Sequence, residues 1–213
     1  MIKASFVVAF LSLVISSCVP WTVRPIEKKE AGQSVTDPTA FSESLWNSKL
    51  APAVLGSATP ARALLDALAV STDAAGRKHG RRETGGAWQF LVKGEGRALA
   101  VDRRSKSGLL LLDIAPFDGR ADIAIQIGPV LRGTALRDAT GLVNFADFVN
   151  QIQFADVANE LNRRVLDKVL ARVDFATIKG KTVSFAGAFS LEGEGDPPIR
   201  GLVPILLQVE GRP

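Results

Sequence analysis

Tyrosine is absent from this chain, and histidine and cysteine occur once each. A lone cysteine excludes an internal disulfide. With a lone histidine beside it, too few soft ligands remain for a structural zinc site. General acid–base chemistry loses its commonest side chain as well. The one histidine, His79, stands in "RKHGRR", which reads as a basic, glycine-bounded loop with no carboxylate to orient a ring. No G-x-S-x-G elbow and no H-E-x-x-H pair occurs. "KGKT" fails as a phosphate loop, because the required first glycine position is Phe175 and the residues that follow are strand-like. The net charge of +4 is spread over short pairs such as Arg81-Arg82 and Arg163-Arg164. A nucleic-acid binder concentrates its cations on one face, so nucleic acid is not an expected partner. No catalytic residue, metal or cofactor is expected.

What is present begins with an address. "MIKASFVVAFLSLVISSC" has a positive start at Lys3, then an apolar run from Ala4 to Ile15. That run has the length of a signal peptide and is too short for a comfortable membrane span of about 20 residues. It ends on "ISSC", an aliphatic residue, two small residues and the only cysteine. This resembles a bacterial lipobox, which implies cleavage before Cys18 and acylation of its thiol. The expected organisation is a signal peptide over 1–17, an acylated Cys18 with a tether over 18–40, and a folded domain over 41–213. Two acyl chains or more anchor a protein firmly. Val19, in place of aspartate, permits the outer membrane if the source is Gram-negative. The polar, proline-bearing stretch after Cys18 reads as the tether, with Trp21 placed either at the lipid interface or on the domain.

The remainder predicts an α+β fold of small barrel-like antiparallel sheets with a long connecting helix. A helix is expected in "FSESLWNSKLAPAV", with Leu45 and Trp46 inward. A second follows Pro60 through "ARALLDALAVSTDAAGRKHG", with Leu64, Leu65, Leu68 and Val70 on its apolar face. "AWQFLVKGEGRALAVDRRSKSGLLLLDIAP" reads as strands, with "KGEG" and "RRSKSG" as turns or bulges. "ADIAIQIGPVL" is a strand with Ile123, Ile125 and Ile127 on one face. A long helix is expected from an Asn144 cap to Arg172, with Phe145, Phe148, Ile152, Ala155, Leu161, Val165 and Val169 inward. A strand pair follows, joined by "EGEGDPP". "GAWQFLVKGEGRALAV" loosely echoes "GKTVSFAGAFSL". This raises a second organisation, with two OB-like units over about 41–140 and 141–213.

Two clusters are candidate binding residues. In "IGPVLRGTALRD" the glycines and proline suit a kinked backbone, and Arg132 and Arg137 suit a carboxylate or phosphate. The alternative pairs either arginine with Asp138 or with carbonyls at strand ends. In "FVNQIQFADVANELN", Asn150, Gln151, Asn159 and Asn162 interrupt an apolar rhythm. They serve either a sugar, with Trp46 or Trp88 stacking, or the backbone of neighbouring strands.

"ESLWNSKLAPAV", "GPVLRGTALRD", "FVNQIQFA" and "KGKTVSFAGAF", in this order, resemble the predicted periplasmic lipoproteins grouped as domain of unknown function 2291. The resemblance runs from about Phe41 to Val209 and includes the lipobox. It implies an extracytoplasmic, lipid-anchored protein. Members are often encoded beside sugar ABC-transport systems, so it also implies an accessory role in carbohydrate uptake. The expected partners are the bilayer through Cys18 and either transporter components or a small carbohydrate. Two other classes remain open. One is a structural envelope protein that binds only proteins. The other is a glycan hydrolase, which needs two carboxylates about 5–9.5 Å apart across a cleft, drawn from Asp102, Asp113, Asp122 and Asp138.

Overall fold

The computed structural model describes residues 35–83, 85–191 and 199–210. Cys18, Trp21, the tether and the "EGEGDPP" connection lie outside the described residues. Gly32–Pro213 clusters as one compact unit.

The first helix, α1 (Pro38–Leu45), starts three residues before Phe41 because Asp37 caps it. Asp37 Oδ1 accepts from the backbone N–H of Thr39 at 2.8 Å and of Ala40 at 3.1 Å. A π turn (Trp46–Leu50) runs straight on into α2 (Ala51–Ser57). Leu45 is buried and Trp46 packs against the core, as their spacing predicts. After the two-residue strand β1 (Thr59–Pro60) come α3 (Ala61–Val70) and α4 (Thr72–His79), where the pattern predicts one helix. Ser71 breaks it: its extended backbone ends α3, and its Oγ accepts from Ala74 N to cap α4. Val70 therefore falls at an end and is 85% exposed, not inward.

One sheet carries the rest. Strand β2 (Gly80–Arg81) leads to β3 (Trp88–Asp102), then β4 (Leu109–Asp113) and β5 (Ile123–Gln126). After a long excursion come β6 (Thr182–Leu191) and β7 (Ile199–Val209). Their order is β1-β3-β4-β5-β7-β6, and β3 also pairs with β6, which closes five strands into a ring. β3 and β6 run antiparallel from Trp88 opposite Leu191 to Arg97 opposite Thr182. The two echoing stretches are thus partners in one sheet and not the centres of two. β6 and β7 form the expected antiparallel pair.

"KGEG" is not a turn. It lies inside the fifteen-residue β3. A Cβ on Gly94 would come within 2.9 Å of Ala61 Cβ, and one on Gly96 within 2.9 Å of the Asp113 carbonyl. The glycines admit neighbours where the strand turns from β6 to β4. "RRSKSG" is the β3–β4 turn. There Arg104 donates both side-chain and backbone hydrogen bonds to Asp102, which hold that carboxyl at about 2. Inside the ring, Leu110 and Leu112 face Ile125 and Ile123, all fully buried. The rings of Phe90 and Phe189 stack at 5.1 Å.

The long helix is shorter than its periodicity predicts. Asn144 precedes only a 3-10 turn (Phe145–Asp147), and the cap is Asn150, whose side chain accepts from Gln153 N at 3.0 Å. After the short α5 (Ala135–Asp138), α6 (Gln151–Lys168) runs about 27 Å. This break resets the helical phase. Phe154, Val157, Leu161 and Val165 turn inward, while Phe145, Ile152 and Ala155 turn outward. No helix of the described residues is long and apolar enough to cross a membrane.

The tightest test of the ring is Gly187, on β6. A Cβ there would meet the Val203 carbonyl on β7 at 2.3 Å. Gly187→Ala is expected to cost about 1–3 kcal/mol and lower the melting temperature by several degrees, checked by circular dichroism against wild type.

Candidate functional site

The segment after β5 is bent around three buried polar side chains. Gln126 Nε2 donates to the carbonyls of Arg132 at 2.9 Å and Gly201 at 2.8 Å, and its Oε1 accepts from Arg132 N at 2.8 Å. One amide thus fixes the loop to β7. Asn162, on the inner side of α6, donates to the Gly133 carbonyl at 3.0 Å. Gly128 and Gly133 hold positive φ, which lets the chain fold back here.

Arg137 completes the construction. Its Nε donates to Asp138 Oδ1 at 2.6 Å and its second nitrogen to Asp138 Oδ2 at 3.1 Å. The remaining nitrogen donates to the Phe154 carbonyl at 3.0 Å. The guanidinium carbon lies 3.6 Å over the Phe154 ring, a cation–π contact in addition to the ion pair. Asp138 also accepts from Thr134 Oγ1 at 2.6 Å. The pairing of Arg137 with Asp138 is the structural arrangement that the sequence allows.

Arg137 and Asp138 form one wall of a cleft of about 210 Å³. Arg81, Arg82, Glu83 and Gln89 also line it, with Val143 and Phe154 as apolar lining. Arg82 lies 4.1 Å over the Trp88 ring and 3.7 Å from Asp73. Arg81 rests against Gly141, where a Cβ would crowd its guanidinium. Among the described residues no carboxylate pairs with Arg81. Arg81 and Arg82 against the single acid Glu83, beside the Arg137–Asp138 pair, leave a net positive lining that suits a small, polar, anionic ligand.

Of the residues singled out in the sequence, the structure gathers Arg137, Asp138 and Asn162 around this loop. Arg132 points its side chain to solvent and contributes backbone only. Asn150 caps α6, and Gln151 and Asn159 are exposed. Sequence reasoning missed Arg81, Arg82, Gln89, Val143 and Phe154. The paired arginines of "RKHGRR" were the available signal, read there as part of a basic, glycine-bounded loop. His79 closes α4 and is not in a loop; its Nδ1 lies 3.4 Å from Thr59 Oγ1.

A wider groove of about 830 Å³ runs beside β7, lined by Lys168, Arg172, Lys181 and Glu210 among others. It is open and carries both charge signs. It holds none of the candidate binding residues singled out in the sequence, which makes it the weaker candidate. The four aspartates of the hydrolase reading all have structural duties. Asp102 holds Arg104, Asp113 accepts from Gly119 N, Asp122 accepts from Ile114 N, and Asp138 holds Arg137. No cluster of three or more metal-ligating side chains occurs among the described residues.

A family model described as predicted periplasmic lipoprotein, domain of unknown function 2291, matches residues 7–208. The crystal structure of an OB-fold protein from Thermotoga maritima is similar, with a TM-score of 0.68 and 22% identity over 82% of this chain and 98% of that one. That likeness establishes the fold. No curated protein matches.

The two arginines of "GPVLRGTALRD" should separate cleanly. Arg137→Ala is expected to cost about 2–3 kcal/mol, less than the ~3–5 kcal/mol for breaking a fully buried pair, because the Asp138 side chain is 26% exposed. Arg132→Ala should stay within about 0.5 kcal/mol. Urea denaturation of both variants measures the contrast.

Proposed function

This chain belongs to the predicted periplasmic lipoprotein family, domain of unknown function 2291, and from that premise we propose that it is a lipid-anchored, non-enzymatic binding or assembly accessory of a solute uptake system in the cell envelope. Cys18 carries the anchor. The solute class favoured by the cleft is a small anionic carbohydrate, such as a sugar acid or a sugar phosphate.

One observation carries the binding reading. Arg81 lines the cleft without an ion-pair partner among the described residues, although Glu83 shares the lining, and the Arg137–Asp138 pair beside it is already held in place by α6. A rim cation beside a fixed wall recognises a charged group without having to reorganise. The polar wall of Gln89 and the apolar side of Phe154 and Val143 match a sugar's mixed surface. The outward positions of β4 and β5 are Leu109, Leu111, Ala124 and Gln126. Single-stranded nucleic acid is gripped by stacked aromatics in a basic groove. This face offers neither, which supports a partner other than nucleic acid. A purely structural envelope protein is the second reading.

Two measurements test the proposal. In the native host, Cys18→Ser should move the protein from the membrane fraction to the soluble fraction. Retention in the membrane would overturn the anchor. In detergent, the acylated protein should show a dose-dependent rise in melting temperature with one anionic sugar class. A ligand at a hundred times its dissociation constant stabilises by about 2.7 kcal/mol. Arg81→Ala should remove the rise while leaving the unliganded melting temperature near that of wild type. No shift across pentoses, hexoses, sugar acids and sugar phosphates would favour the structural reading.

A further inference from the structure

Three of the seven large hydrophobic side chains exposed among the described residues fall within eight positions: Phe145 at 49%, Val149 at 63% and Ile152 at 72%. Scattered singly, such residues carry no message, but grouped they mark a contact surface. They sit on the broken connection into α6. Phe148 alone turns inward there, edge-on to Phe41 and to Phe154. Phe145 touches the core's edge through the Phe154 ring and is otherwise exposed, and Val149 and Ile152 point away from the core.

The chain's entry point lies on the same connection. Val35, the first described residue, donates its N–H to the Asp147 carbonyl at 2.8 Å and pairs with Phe148 in a parallel bridge. Gln153 reaches back toward the Thr36 carbonyl at 3.5 Å. The segment leading to Cys18 therefore leaves the domain beside Phe145, Val149 and Ile152. Seventeen residue steps separate Cys18 from Val35, a reach of about 60 Å at the very most.

We infer that Phe145, Val149 and Ile152 form a bilayer-docking surface, which seats the domain on the membrane that holds its acyl anchor. The inference rests on the anchor proposed at Cys18. Between Asn144 and Gln153 the only charge is Asp147, and the polar residues are neutral amides. With no cation to attract anionic headgroups, the contact rests on burial of the apolar side chains in the acyl boundary. Three side chains are too few for a stable protein interface, which needs about 800 Å² on each partner. They suffice for lipid because the anchor makes the contact intramolecular and raises its effective concentration.

The test uses the full acylated chain in vesicles of phosphatidylethanolamine and phosphatidylglycerol containing nitroxide-labelled phospholipid. Acylation of Cys18 leaves an engineered cysteine as the only free thiol. An environment-sensitive fluorophore is placed at Ile152→Cys or, as control, at the exposed Val70→Cys. Quenching several-fold stronger at position 152, with a blue-shifted emission, is the expected result. Equal quenching at both positions overturns the docking surface. So does a label at 152 that is wet in vesicles yet shielded in native membranes, which would assign the patch to a protein partner. Flotation of the same vesicles reads the anchor separately. A chain that floats with a wet label refutes docking alone, and a chain that does not float refutes the anchor and docking with it.

Discussion

A buried guanidinium sets the terms for this fold. The Arg137 side chain is only 9% exposed, and a cation removed from water is costly unless every donor finds an acceptor. Its acceptors come from two elements: Asp138 beside it on α5, and the Phe154 carbonyl on the first turn of α6. Satisfying it forces α5 against α6. That contact brings the loop after β5 back over the sheet, where Gln126 and Asn162 meet its carbonyls. Each polar group in this chain of contacts is buried because the one before it has been placed. Removing one would leave the others desolvated and unpaired.

The same arrangement produces the two surfaces of functional interest. Arg137 rests on Phe154, Phe154 packs edge-on against Phe145 and Phe148, and Phe148 packs against Phe41. One end of this aromatic row lines the arginine cleft. The other reaches the point where the chain enters the domain. The ring of strands acts as the scaffold beneath both, with β3 long enough to pair with β6 in one half and β4 in the other. An OB-like ring does not by itself name a ligand, since function resides in the groups grafted onto the fold. Here the proposed groups stand beside the ring, on β2, α5 and α6, and the outward positions of β4 and β5 carry Leu109, Leu111, Ala124 and Gln126, whose amide is spent on the loop after β5.

Much of this was legible in the chain, because local chemistry governs it. The α+β class, the β6–β7 pair, the turn at "RRSKSG" and the inward leucines of α3 follow from apolar period and turn residues. Family membership follows from "GPVLRGTALRD" and "FVNQIQFA". Where the reading departed from the structure, a capping residue or a neighbour was responsible. Asn150 and Ser71 each ended one helical phase and began another, so Ile152 and Val70 fell outside. Gly94 and Gly96 accommodate Ala61 and the β4 backbone, contacts that periodicity cannot register.

By itself, then, the sequence determined the class of fold, the family and the composition poor in catalytic side chains, since these depend on residue type and short-range order. Only the tertiary structure decided that Arg81 and Arg137, which are 56 positions apart, line one cleft, that Arg132 does not, and that the exposed apolar residues flank the chain's entry. Those outcomes depend on which distant backbone groups a buried guanidinium and a buried amide can reach. That is a matter of three-dimensional closure, which spacing along the chain does not encode.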